Sequence, residues 1–312
     1  MATPIMSEQW ARFVLPVVRR EWYQQMIAIP SPALGFFGVN ASTSSVEYSQ
    51  GVGNFGSVPE YGSVSGSDGM PASIQYDSFK ALYETTFTHK QYALGVAIER
   101  TLWDDDQMGL IRRRAASLGG SFGTTRAEHA ASVFNNAFSA SYVGGDAVAL
   151  CSASHPNRAD DASTLHDNLG STPLSYAAVV DTLEAGKSMT NDRGKPLPVR
   201  YNVLYVPVEL EKEAWVIVNT LRGQPGTGNN DANFVGSQGL TVVVDPYLSD
   251  ANNWFMLSQP EAQMHLLWFD RVAPELSLDP SSEFDLVARY RGYMRYSFGW
   301  DDWRWVFGHE VS

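Results

Sequence analysis

The sequence predicts an α+β protein, on three observations. One stretch, Asp104 to Tyr142, carries the longest helical signal in the chain. A middle region from Leu174 to Leu257 alternates helical and buried-strand patterns, as a compact α/β unit does. The last segment alternates apolar and charged residues from Glu283 onward, the period of a long strand with one wet face.

The long helix is expected to act as a spine. Asp104, Asp105 and Asp106 supply a cap and put negative charge at the positive end of the helix dipole. Met108, Ile111, Ala115, Leu118 and Phe122 follow at steps of three and four, so one face is apolar, and Arg112, Arg113 and Arg114 fall mostly off it. Gly119-Gly120 predicts a bend or break before Ala130, Phe134 and Ala137 resume the pattern. At full length the segment spans on the order of 50 Å, which implies an elongated molecule or an assembly.

Upstream, Trp10, Val14, Val18 and Trp22 predict an amphipathic helix over 7–28, ended by Pro30 and Pro32. Gly35 to Ser73 has no sustained period and is expected to be an arm that finds its order on neighbouring subunits. Residues 74–100 turn to strand composition, with Tyr92, Leu94, Val96 and Ile98 alternating. A hairpin from Met70 to Glu99 would project from its body and leave Tyr76, Phe79, Tyr83 and Phe87 for a neighbour to cover. Downstream, Gly144-Gly145 closes the spine and a polar loop runs to Thr172. A helix is expected from Tyr176 to Met189, a turn at Asp192-Arg193-Gly194, a buried strand at Val203 to Val206, a helix from Glu209 to Thr220, a loop from Gly223 to Asn233, a second buried strand from Leu240 to Val244 and another near Trp254 to Leu257. Phe284, Leu286, Ala288, Tyr290, Met294, Tyr296 and Phe298 then share one face. Trp303, Trp305 and Phe307 alternate back after a turn at Asp301-Asp302, which predicts a long antiparallel hairpin.

Composition narrows the function. The 312 residues allow two or three domains, with 44% hydrophobic content ample for cores. No apolar run approaches a membrane span and the start has no signal-peptide pattern, so cytoplasmic production is expected. The one cysteine excludes an internal disulfide framework or thiolate zinc site, and a net charge of −12 argues against DNA recognition as the main task. Cys151 and His155, with Asp160, Asp161 and His166 downstream, are the constellation a thiol or metal-dependent hydrolase would need. Their spacing matches no zinc motif, and a single cysteine in an apolar run is more often a small buried hydrophobe. Gly194-Lys195 and the loop GQPGTGNN lack full phosphate-loop spacing and read as turns. No catalytic, cofactor-binding or metal-binding residue is therefore assigned, and Cys151→Ala is expected to leave assembly intact.

At Leu150-Cys151-Ser152-Ala153-Ser154-His155-Pro156 the sequence resembles the major head subunit of Mu-like tailed phages. Asn168 with Leu174-Ser175, Gly194-Lys195-Pro196-Leu197, Val206-Pro207 with Leu210-Glu211 and Ala214, Asp245-Pro246-Tyr247-Leu248, Asn253-Trp254-Phe255 and Asp302-Trp303-Arg304 follow in that family's order. Cys151 stands where the family usually has Phe, and Gly145-Asp146 reverses its common Asp-Gly. The resemblance covers roughly residues 75 to 305. It implies the Hong Kong 97 phage capsid fold, divided as an N-terminal arm at 1–54, an extended loop at 55–100, a peripheral domain with the spine helix at 101–172, an axial domain at 173–265 and long peripheral strands at 266–312. It also implies a major capsid protein of the virion that assembles in the host cytoplasm into pentamers and hexamers of an icosahedral head. The partners implied are itself, a separate scaffolding protein, a portal, decoration proteins and packaged double-stranded DNA contacted non-specifically, with no membrane and no cofactor. Pro156, Pro207 and Pro246 are expected at turns and packing anchors.

Overall fold

The computed structural model describes residues 10–52, 81–105, 108–158, 161–220, 233–279 and 286–311. Helix α1 (Trp10–Ala28) forms as expected, and its stripe of Val14, Val18 and Trp22 is fully buried. After a 3-10 turn at Ala33–Phe36 come strand β1 (Gly38–Ala41) and strand β2 (Val46–Val52), where sequence alone predicted only an unstructured arm. Strand β3 (Ala81–Thr88) pairs antiparallel with β2 to make a two-stranded ribbon. Strand β4 (Lys90–Glu99) is not part of that ribbon, so the expected hairpin from Met70 to Glu99 is corrected: β3 turns back on β2, and β4 joins a different sheet.

The spine differs from expectation at its start and middle. Arg100–Asp104 forms a short separate helix, α2, in which Arg100 pairs with Asp104, so Asp104 closes α2 instead of capping the spine. The spine itself, α3, runs from Met108 to Asn135. It is unbroken at Gly119-Gly120, and the cause is packing. A Cβ on Gly119 would collide with the Trp22 carbonyl, and one on Gly123 would lie 2.6 Å from the Met26 carbonyl oxygen. Spaced by four, the two glycines form a notch that lets the α1 backbone lie against α3. The conformational cost of glycine is offset by a close helix crossing, in which Trp22 meets Phe122 edge-on at 5.3 Å.

Two larger sheets complete the body. The first has the order β1-β11-β12-β4, with β11 at Leu266–Leu278 and β12 at Val287–Trp300. Here the long antiparallel hairpin is β11 with β12, not β12 with the segment that follows it. The alternation read from sequence holds at Ala288, Tyr290, Met294 and Tyr296, all buried, whereas Leu286 is 70% exposed and Phe284 lies outside the described residues. The second sheet has the order β7-β13-β10-β8-β9. Its strands are β7 (Leu169–Gly170), β8 (Val203–Val206), β9 (Thr241–Val244), β10 (Trp254–Leu257) and β13 (Val306–His309). The expected buried strands at β8 and β10 are buried throughout, but β9 is an edge strand and half-exposed.

Helix α4 (Tyr176–Ser188) begins where predicted, the Ser175 hydroxyl accepting from the Ala178 amide at 3.2 Å. Helix α5 (Glu211–Asn219) follows a 3-10 turn at Val208–Leu210, and short helices α6 (Phe234–Ser237) and α7 (Gln259–His265) lead into β9 and β11. Part of the stretch predicted as a polar loop is instead a hairpin of β5 (His155–Arg158) and β6 (Asp161–His166). The loop expected over 223–233 lies almost wholly outside the described residues.

The glycine notch gives a sharp test. Gly119→Ala should destabilise the subunit by about 1–3 kcal/mol through overpacking, although alanine is the better helix former. Gly120→Ala, whose new Cβ would have only Gln25 Cγ nearby at 3.7 Å, should stabilise by roughly 0.5–1 kcal/mol. Urea midpoints of the two variants, measured side by side, check the sign of each.

Candidate functional site

The residues a hydrolase would use do not converge. Cys151 is buried, its amide donates to the Ala137 carbonyl at 2.8 Å, and its sulfur fills the space beside Gly308. Burial pushes the Cys151 thiol far above its ordinary value, which outweighs the Gly308 amide that favours the thiolate. A nucleophilic thiolate therefore does not form. His155 is fully buried, 2.7 Å from the Asp146 carboxylate through Nδ1 and stacked at 4.1 Å on Trp303. His166 turns to Asn157 at 3.1 Å. Asp161 opens β6, and Asp160 lies outside the described residues. Among the described residues no group of His, Cys, Asp and Glu is placed to hold a metal ion. Gly194-Lys195 is a turn, with Gly194 at φ 69°.

What the sequence motifs supply instead is a set of buried anchors where chain segments meet. Asn168 is fully buried; its Oδ1 accepts from the Ser152 amide at 2.8 Å, and its Nδ2 donates to the carbonyls of Leu150 at 2.8 Å and Val306 at 2.9 Å. One side chain thus ties the segment after the spine to the crossing between the two larger sheets, with its polar groups satisfied. Asp245, also fully buried, accepts from the Tyr205 hydroxyl at 2.7 Å, the Ala33 amide at 3.2 Å and the Tyr247 amide at 2.8 Å. Burial, with Asp245 beside it, holds the Tyr205 phenol well above its usual value. Asp302 accepts from Arg304 at 2.9 Å, and Arg304 lies over Trp303 at 4.9 Å. Pro207 precedes a 3-10 turn and Pro246 sits in a turn, as expected, while Pro156 lies within β5.

The ribbon of β2 and β3 is rooted on the body by contacts that sequence reasoning missed. Phe87 is buried against Phe269 at 5.2 Å, where exposure was expected, and Tyr83 is half-buried; Tyr76 and Phe79 lie outside the described residues. Buried His89 bridges Ser42 at 3.1 Å and Ser297 at 3.0 Å. The Ser42 hydroxyl donates to Glu47 at 2.5 Å, so His89 Nε2 carries the proton and Nδ1 accepts from Ser297. Burial foremost, then the cations Arg295 and Arg271, lower the His89 pKa against the pull of Glu47. Nearby, Asp301 accepts from Ser49 of β2 at 2.6 Å and meets His265 at 2.9 Å. Burial opposes charge on His265, but the Asp301 hydrogen bond and the fields of Asp302, Asp301 and Glu261 prevail and raise its pKa. No motif spacing signals these pairs, because they join residues far apart in sequence.

His309 supplies a pH test of the buried junction. It stacks on Trp254 at 3.8 Å and meets the Thr182 hydroxyl at 2.9 Å, and since that hydroxyl donates to the Ala178 carbonyl, His309 Nε2 is the donor. Burial lowers its pKa to about 4. A depressed histidine favours the folded state above its unfolded pKa near 6.5 and loses that contribution as pH falls towards 4. Lowering pH from 7 to 5 should therefore cost up to about 2 kcal/mol through this residue. Urea melts of His309→Gln across that window should show a correspondingly shallower pH dependence, on a lower baseline from the lost stacking.

Comparison with known proteins fits an architecture of anchors without a reactive centre. A family model described as phage capsid protein matches residues 83–308. No curated protein matches the chain by sequence. Among solved structures, the capsid of bacteriophage JBD30 aligns with a TM-score of 0.55 at 15% identity, over 70% of this chain and 91% of that one. The capsid of cyanophage P-SCSP1u aligns at 0.56 and 13% identity, over 89% and 86%. A virus-like particle from Pyrococcus furiosus aligns at 0.53 and 10% identity, over 94% and 97%. At these identities the likeness is one of fold.

Proposed function

The chain belongs to the phage capsid protein family, and from that premise we propose how its architecture builds a closed shell. It is a structural, non-enzymatic subunit of the head, located in the virion, with the Hong Kong 97 capsid fold that its motifs implied. Our reading is that copies join as pentamers and hexamers into an icosahedral head around the double-stranded DNA of a tailed phage. In this reading α1 and β1 form the N-terminal arm, and β2, β3 and residues 53–80 form the extended loop. The spine with the four-stranded sheet is the peripheral domain, and the five-stranded sheet with its helices is the axial domain.

The observation that carries the proposal is the rooted ribbon. It is a two-stranded element, marginal alone, with residues 53–80 between its strands, and it is fixed to the body only at its root by Phe87, His89 and Ser49. A second copy supplies the missing contacts. Large exposed apolar side chains such as Tyr48 at 65% and Trp215 at 60% are further contact points for neighbouring copies. Scaffolding and portal proteins are proposed partners from the family's way of assembly, and assembly takes place in the host cytoplasm. Decoration is proposed by analogy, since the JBD30 capsid is decorated with minor capsid protein trimers.

Replacing residues 53–80 with a short Gly/Ser linker, while keeping Phe87 and His89, should leave a folded subunit that forms no stable shells. Sedimentation and negative-stain micrographs read the outcome. Intact particles of normal size and thermal stability from that variant would show that the loop is not an intersubunit clamp.

A further inference from the structure

The four-stranded sheet has two unlike faces. On β12, Gly292 lies under the Phe122 ring, Tyr296 meets His129 at 2.7 Å, and these residues with Ala288, Tyr290 and Met294 turn towards α3. The alternate residues Arg289, Arg291, Tyr293 and Arg295 point the other way, opposite Ala97, Gly95, Ala93 and Gln91 of β4. All four of those β4 residues are exposed. At one end of this outer face the chain's own ribbon sits on it, with Phe87 on Phe269 and His89 on Ser297. Beyond that root, among the described residues, no element covers the face. Short side chains leave the strand backbone near the surface, and arginines border it.

We propose that this face receives residues 53–80 of a neighbouring copy, their carboxylates meeting the arginines. The inference rests on the reading of the loop as an intersubunit clamp and adds where it lands. Level is the first argument: the ribbon leaves from the outer face of its own sheet, so copies packed side by side present the same face at the height where the loop departs. Charge is the second. The face holds Arg271, Arg289, Arg291 and Arg295 against Glu99, Glu275 and Asp279, a positive balance on a chain of net charge −12. Residues 53–80 carry Glu60, Asp68 and Asp77 against Lys80, together with Phe55, Tyr61, Tyr76 and Phe79 to lay on a flat surface. Reach is the third: a hairpin arm of about 14 residues spans on the order of 46 Å, wider than the open part of the sheet. Nucleic acid is the other polyanion such a surface could meet, but an acidic chain holds its phosphates off, and the face already carries the root of the loop.

The test is a charge exchange in the full-length chain. Arg289→Glu with Arg291→Glu should lower the yield of closed particles by about tenfold or more, and adding Glu60→Arg, Asp68→Arg and Asp77→Arg should restore most of it, because like charges across an interface repel and re-paired ones do not. Normal yield from the arginine variant would overturn the proposal. So would failure of the exchange to rescue while the 53–80 linker variant also makes no shells, since the clamp would then stand and its landing site would be wrong. Full-yield particles that lose packaged DNA would assign the face to nucleic acid and overturn it as well. Shells from the linker variant would instead defeat the clamp reading itself. If circular dichroism shows the arginine variant unfolded, the three loop substitutions alone decide, and normal particle yield from them overturns the proposal.

Discussion

Burial of α3 against three partners at once constrains everything else in this subunit. Along its first turns it is held between α1 and the four-stranded sheet, through the glycine notch on one side and Phe122 on Gly292 on the other. At its end Phe134 enters the second sheet, packing on Tyr205 at 4.9 Å and Phe255 at 5.4 Å. Each such aromatic contributes about 1.5–3 kcal/mol on burial. Because packed interiors yield little to strain, one rigid rod sets the relation of the two sheets. Midway, Arg126 clamps Asp270 of β11 with two hydrogen bonds of 2.9 and 3.2 Å and lies over Trp268 at 4.9 Å, which fixes the helix along its axis.

From that rigid body the function follows as a matter of what projects. The ribbon is rooted by neutral His89 between two serines and by Asp301 between Ser49 and His265, so its direction of departure is set by buried polar contacts. A shell subunit needs this combination: a stiff frame that transmits shape, and an extension whose satisfaction lies on a neighbour. No step of chemistry is required, and the buried Cys151 and His155 are spent on packing and on the Asp146 contact.

Much of this was legible in the sequence, and the misses share a cause. Helical stripes gave α1, α3 and α4 with their buried faces, because a period of 3.6 reports local geometry directly. Strand partners were not legible: β12 alternates cleanly, yet nothing local says that it pairs with β11 and β4 and not with the tryptophan-rich segment after it. Gly119-Gly120 was misread as a break for the same reason, since the notch exists only when Trp22 and Met26 arrive from elsewhere. The motifs carried the family and located Asn168 and Asp245, but their roles as junction anchors depend on segments brought together by the fold. The roots at His89 and Phe87 left no sequence signal at all.

The central claim is that the extended loop completes its contacts on another copy of the chain. A cryo-electron microscopy reconstruction of particles formed by the full-length protein tests it most directly. The account predicts a closed shell in which residues 53–80 of each subunit lie across the peripheral sheet of a neighbour. A shell in which that segment folds back onto its own subunit, with no density bridging adjacent copies there, would contradict it.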